Sequence, residues 1–237
     1  MHTQTGTQHP MEWTQALEHE ARTLVAELDK TSTARRIFEG SIDAEGYCHY
    51  LVQTYHYVRW TTPLLAETGE RLQRSGKHPM LGELFLQKAR EEHGHERWLL
   101  KDLEHLGWPA ERVESVAPCE AVSAYAAWNR YTARRGNPLA FLGTAYVLEY
   151  LSVQRASPSA ERLIAAGRIE NIHKAVTFLR GHGLADGDHV AELTGLLGSL
   201  TDVRDQAALV LSARTTRVLY LGMFAEMEGR AYGVNPS

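Results

Sequence analysis

Six side chains in this sequence have the types and spacings that bind transition metals. Glu92 and His95 stand three apart in EEHGHERWLLKDLEHLG, Glu149 sits in GTAYVLEYLS, and His182, Asp186 and His189 form an H-x3-D-x2-H run in LRGHGLADGDH. Residues three or four apart are neighbours on a helix surface, so a Glu-x-x-His pair can offer a carboxylate oxygen and an imidazole nitrogen to one ion. Three carboxylates and three imidazoles, without thiolates, suit two iron ions, with manganese as the alternative metal.

These residues fall where a helical pattern calls for core side chains. Phe85, Ala89, Glu92, His95 or Glu96, Leu99, Leu103 and Leu106 share one stripe, whereas Glu91 and Trp98 are rotated off it. The stripe favours Glu92 over Glu91 as the first carboxylate, against the commoner reading of a charged, solvated helix. Glu149 lies on a line with Leu142, Ala145, Ser152 and Ala156, where an arginine or tyrosine would satisfy it as well as a metal. His182 as a loop residue and Asp186 as a helix cap are ordinary roles, but the three-residue cluster is harder to explain that way. Gly181, Gly183 and Gly187 each weaken a helix there by about 1 kcal/mol relative to alanine, so the segment is expected to be mobile without metal.

The elements that must position them are all helical. Trp13, Leu17, Leu24, Val25 and Leu28 mark an amphipathic helix over residues 11–30, with a short turn of helix over 31–39. Asp43 caps a long segment that Pro63 kinks near His56 and Arg59. A third helix runs from Pro79 to Leu106, and a fourth from Ala121 to Arg135. Asn137 and Pro138 open the helix of Glu149, and Ser157 and Pro158 open a shorter one to Ala166. Further helices cover Glu170 to Leu179, the stretch of Val190 to Leu200, and Val203 to about Arg230. Nothing reads as a strand, so the fold class is all-α: a single-domain helical bundle over residues 11–231 behind a disordered tail, 1–10.

Composition removes several functions. With 25 basic and 29 acidic residues the net charge is −4, so no basic field draws nucleic acid or an anionic membrane. No segment has the length and polarity of a membrane span, and the polar first ten residues lack a signal-peptide pattern. Cys48 and Cys119 stand far apart without a C-x-x-C spacing, which fits the reducing cytoplasm.

Here the chain resembles the haem-oxygenase-like diiron oxidases and oxygenases, an iron-containing redox enzyme family. The resemblance rests on QTYHYVRWTTPLL, EEHGHERWLLKDLEHLG, GTAYVLEYLS and LRGHGLADGDH, in that order. It implies a haem-oxygenase-like bundle whose iron ligands are Glu92, His95, Glu149, His182, Asp186 and His189. It also implies two ferrous ions, O2 as co-substrate, and oxidation of a small amine, amino-acid or fatty-acid-like molecule by N-oxygenation, desaturation or oxidative C–C cleavage. An external electron donor and a homodimer are compatible with it.

His56 and Arg59, three apart on the kinked helix, are the candidate substrate contacts, Arg59 through a bidentate grip on a carboxylate; a structural salt bridge is the competing role. Arg214 and Arg217 form a second candidate anion clamp. The same fold resemblance extends to haem oxygenase, for which His19 is the available axial histidine, and to cofactorless or thiaminase-like enzymes, the latter needing a nucleophilic cysteine. A non-enzymatic iron-binding bundle is the rival outside enzymes.

Overall fold

In the computed structural model, residues 10–182, 195, 197 and 200–231 are described. They form eleven helices and one short 3-10 turn, Ile172–Lys174, with no strand among the described residues. The helices are α1 (Pro10–Leu28), α2 (Ser32–Phe38), α3 (Ala44–Val58), α4 (Thr61–Ser75), α5 (Pro79–Glu91), α6 (His95–His105), α7 (Ala110–Ser115), α8 (Glu120–Arg134), α9 (Ala140–Ala166), α10 (177–182) and α11 (Val203–Ala231).

The long helices α9 and α11 pack on one another and on α1, and α8 closes against α11. Leu17, Leu24 and Leu28 of α1 and Phe224 of α11 are fully buried there. One hydroxyl ties three helices: Thr144 of α9 meets Asn129 of α8 at 2.9 Å, and Ser212 and Thr216 of α11 at 3.0 and 2.9 Å. Such groups are tolerated inside because each has partners. The α4–α5 hairpin and the α3–α6 pair form the other side, around the fully buried Tyr47, Leu51 and Phe85.

Four expected boundaries move, one being the helix expected over Glu170 to Leu179, where the Ile172–Lys174 turn precedes an α10 that begins only at 177. The bend ascribed to Pro63 lies at Arg59 and Trp60, because a proline without an N–H leaves the carbonyl four residues earlier outside the ladder. Conversely, Pro158 does not end its helix. It lies inside α9, where the carbonyl of Gln154, which residue 158 would normally engage, accepts from Arg155 Nη1 at 3.1 Å. Last, the helix expected from Pro79 to Leu106 is two helices that meet at a corner over residues 92–94.

Arg214 and Arg217 of α11 do clamp an anion, but it is the chain's own Glu20. Their Nε atoms donate to its two oxygens at 3.0 and 2.6 Å. Glu20 is 4% exposed. Burial alone would raise its pKa, and the two guanidiniums outweigh that and lower it.

Candidate metal centre

The corner between α5 and α6 shapes the site. Glu92 caps α5, Gly94 takes the left-handed conformation at φ +91°, and His95 opens α6. A side chain at 94 would strain that conformation, which glycine adopts freely. The Thr62 hydroxyl donates to the Glu92 carbonyl at 3.0 Å and moors the corner to α4. The turn, rather than a continuous helix, brings the two side chains together: His95 Nδ1 lies 2.8 Å from Glu92 Oε2.

His182 arrives from α10. Its Nδ1 donates to the Phe178 carbonyl at 3.0 Å, the bond that fixes a ligand histidine's tautomer and turns Nε2 toward Glu92. Nε2 stands 3.9 Å from Glu92 Oε2. One ligand atom from each of Glu92, His95 and His182 lies within 4.8 Å of the others, close enough for a single ion. Burial would push the Glu92 carboxyl up; the imidazoles of His182 and His95 outweigh it and hold the pKa at about 2. One ionised carboxylate between two imidazoles is a donor set that fits iron.

Side chains behind the imidazoles fix where they sit. The Trp98 indole stacks on His95 at 4.0 Å between ring centres, and Phe178 lies 4.2 Å from the His182 ring. Gly181 lets α10 close on the indole, since a Cβ there would come within 2.4 Å of Trp98 Cζ3. Asp102, two turns after His95 on α6 and wholly buried, accepts the amide hydrogens of Thr177 and Phe178 at 3.0 and 2.9 Å. It therefore caps the helix that carries His182, and burial pushes its own pKa up. The sequence reading missed Asp102 and gave Trp98 no role, although Asp102 falls seven residues after His95 on the same face.

Glu92 and His182 line a largely apolar cavity of about 1440 Å³, counting its open mouth. Glu149 of α9 lines the same cavity, and its Oε2 is shielded from solvent. Glu91 points away: it is exposed and pairs with Lys88 at 3.1 Å and Gln87 at 2.8 Å. Asp186 and His189 lie outside the described residues. His56 and Arg59 do not line the cavity as the substrate-contact expectation required. His56 is buried with Nε2 2.7 Å from the Val116 carbonyl, and Arg59 is exposed, lying over Tyr55 and Trp60 at 5.7 and 5.9 Å. His19 is exposed too.

A model of the iron-containing redox enzyme family matches residues 48–223, a span that includes Glu92, His95, Glu149, His182, Asp186 and His189. The chain belongs to that family. No curated protein matches it. A domain of unknown function with a haem-oxygenase-like fold from Shewanella denitrificans OS217 superposes with a TM-score of 0.79 at 21% identity, over 92% of this chain and 93% of that one. A TenA homologue from Pseudomonas syringae pv. tomato gives 0.75 at 16% identity, over 92% and 91%. A second TenA homologue, from P. horikoshii, gives 0.68 at 16% identity, over 90% and 98%. At these identities the likeness establishes a haem-oxygenase-like fold. For the described residues of this member of the iron-containing redox enzyme family, no helix is long and apolar enough to cross a membrane.

Proposed function

We propose that this chain is an O2-dependent oxidase or oxygenase of small organic molecules. Its iron would be held by Glu92, His95, His182 and Glu149 and completed to a two-iron site by Asp186 and His189. The observation that carries the reading is the Glu92 carboxylate, kept ionised between two imidazoles in the wall of a largely apolar cavity. Ionisable groups are costly in such surroundings unless something binds them together.

Iron bound there supplies the electrons that reduce O2. The chain's own residues supply the rest. The Phe178 carbonyl orients His182 so that Nε2 faces Glu92, the Trp98 indole holds the plane of His95, and Glu149 brings a second carboxylate to the cavity. The apolar wall excludes water and orients the substrate. N-oxygenation, desaturation and oxidative C–C cleavage are the reaction classes that suit such a site, with an external reductant wherever substrate electrons do not balance those taken up by O2.

The thiaminase-like alternative needs a cysteine in the cavity. Cys48 and Cys119 are buried and neither lines it, and burial pushes the Cys48 thiol up to about 11. The test is anaerobic loading with Fe(II) followed by exposure to O2. About two irons per chain and rapid O2 uptake support the proposal. Iron bound without O2 uptake points to a non-enzymatic iron-binding protein, and no specific binding removes the metal reading.

A further inference from the structure

Four phenols form a polar corner in the apolar cavity, on helices other than those of Glu92, His95, Glu149 and His182. Tyr50 and Tyr57 of α3, Tyr125 of α8 and Tyr220 of α11 all line it, none more than 8% exposed. Tyr57 meets Tyr125 edge-on at 5.2 Å and Tyr220 at 6.0 Å. Tyr50 and Tyr220 flank Phe224 at 6.0 and 5.6 Å. The hydroxyls of Tyr50 and Tyr57 are each within hydrogen-bonding reach of those of Tyr220 and Thr54.

Buried tyrosine hydroxyls ordinarily find a partner. Tyr47, outside the cavity, shows the usual solution, donating to the Ala175 carbonyl at 3.0 Å. Among the described residues, no main-chain carbonyl takes a hydrogen from the four cavity phenols, and Thr54 spends its own on the Tyr50 carbonyl at 2.8 Å. Burial raises all four pKa values, so the phenols stay neutral, and the hydroxyls of Tyr50, Tyr57 and Tyr220 meet one another and Thr54 until a ligand oxygen takes one of their hydrogens.

The charges in the cavity narrow the ligand. Lys88 is paired with Glu91 at 3.1 Å, and Arg155 with Asp29 at 2.5 Å, so the chain commits both cations to its own acids. A carboxylate in the tyrosine corner would meet no free cation, and its burial there is costly, whereas an ammonium would be drawn away from the corner to the cavity's carboxylates, Glu92 and Glu149. A neutral oxygen meets donors at no such cost. The cavity also runs along α9 from Phe141 to Ser159, about 27 Å of helix at 1.5 Å per residue, and most of its wall is apolar.

We propose that the substrate is an elongated, largely apolar molecule bearing a neutral oxygen, as hydroxyl, carbonyl or amide, which seats on Tyr57 and Tyr220 while its apolar body extends toward Glu92 and His182. This rests on the oxidase reading for what happens to the body, but binding tests it without iron or O2. Titration calorimetry of the full chain as purified, with chelator present, compares octanol, octanone, octanoate and octylamine. Octanol and octanone should bind more tightly than octanoate. Tyr57→Phe and Tyr220→Phe should each weaken octanol and octanone by roughly two- to tenfold, the worth of one neutral hydrogen bond, and leave octanoate and octylamine unchanged. Either variant suffices should the other fail to fold. Preferred binding of octanoate, no binding of any probe, or unchanged octanol affinity in both variants overturns the proposal. O2 uptake by the iron-loaded chain tests the oxidase reading separately.

Discussion

Asp102 Oδ2 accepts the amide hydrogen of Phe178 at 2.9 Å, and that bond couples the two helices on which the imidazoles stand. Its other oxygen takes the Thr177 amide hydrogen. Asparagine offers one acceptor oxygen in place of two, so Asp102→Asn leaves one of these amides unmet and loosens the start of α10. Residues that orient metal ligands typically contribute about 10- to 100-fold in affinity. Competition with a chromophoric chelator should show a loss of that size for Co(II), together with altered d–d bands. An unchanged affinity and spectrum would show that the cap does not hold His182.

Gly181→Ala attacks the same arrangement from the other side. The new Cβ would sit within 2.4 Å of the Trp98 indole, so α10 or the indole must give way, and with it the stacking on His95. Weaker Co(II) binding with a small loss of thermal stability is expected. Gly76→Ala is a poor control despite its open surroundings, because its φ of +66° is itself strained by a side chain. Ala126→Gly, on the opposite helix α8, perturbs a helix without touching the corner.

Glu149→Ala should fold and bind less iron. Among the described residues it is one of three cavity carboxylate or imidazole side chains, with Glu92 and His182, and removal of a ligand weakens at least one metal position. Iron per chain after anaerobic loading and desalting should fall from about two to one or fewer, with the melting temperature of the metal-free protein nearly unchanged. Full iron content and full O2 uptake would remove Glu149 from the site.

Glu20 gives a pH dependence of known sign. Its folded pKa is lowered below the ordinary 4.5 by Arg217 and Arg214 against the opposing effect of burial. Its contribution to stability is therefore complete above 4.5 and is lost as the pH falls through the lower, folded value. At neutral pH, Glu20→Gln should cost about 1.5–3 kcal/mol, the range for hydrogen bonds to charged groups. Urea unfolding of both proteins should show that difference shrinking as the medium is acidified below 4.5.

The grouping of Glu92, His95 and His182 was more legible in the sequence than the geometry that brings them together. Glu92 and His95 stood out because a helical stripe exposes any ionisable residue that interrupts it. The same stripe concealed the corner, because Phe85 and Ala89 before it and Leu99 and Leu103 after it stay in phase by position while Gly94 turns the chain. Pro158 misled in the opposite direction, since the guanidinium that occupies the freed Gln154 carbonyl comes from a neighbouring residue whose rotamer no pattern reveals. Asp102 was visible as a face position, but its partners lie 75 and 76 residues away. Arg59 looked like an anion clamp by type alone.

Arg59→Ala provides the test of that last residue. The guanidinium is exposed and rests on Tyr55 and Trp60, away from the cavity wall. Cation–π contacts at exposed sites contribute about 0.5–1 kcal/mol, so the variant should lose at most a little stability. Once a substrate is in hand, its KM and kcat should match the parent's within about twofold, since a rim contact of that kind removes no transition-state interaction. A KM raised tenfold or more at unchanged kcat would mean that Arg59 turns inward when substrate binds, and would restore the carboxylate grip that its sequence position first implied.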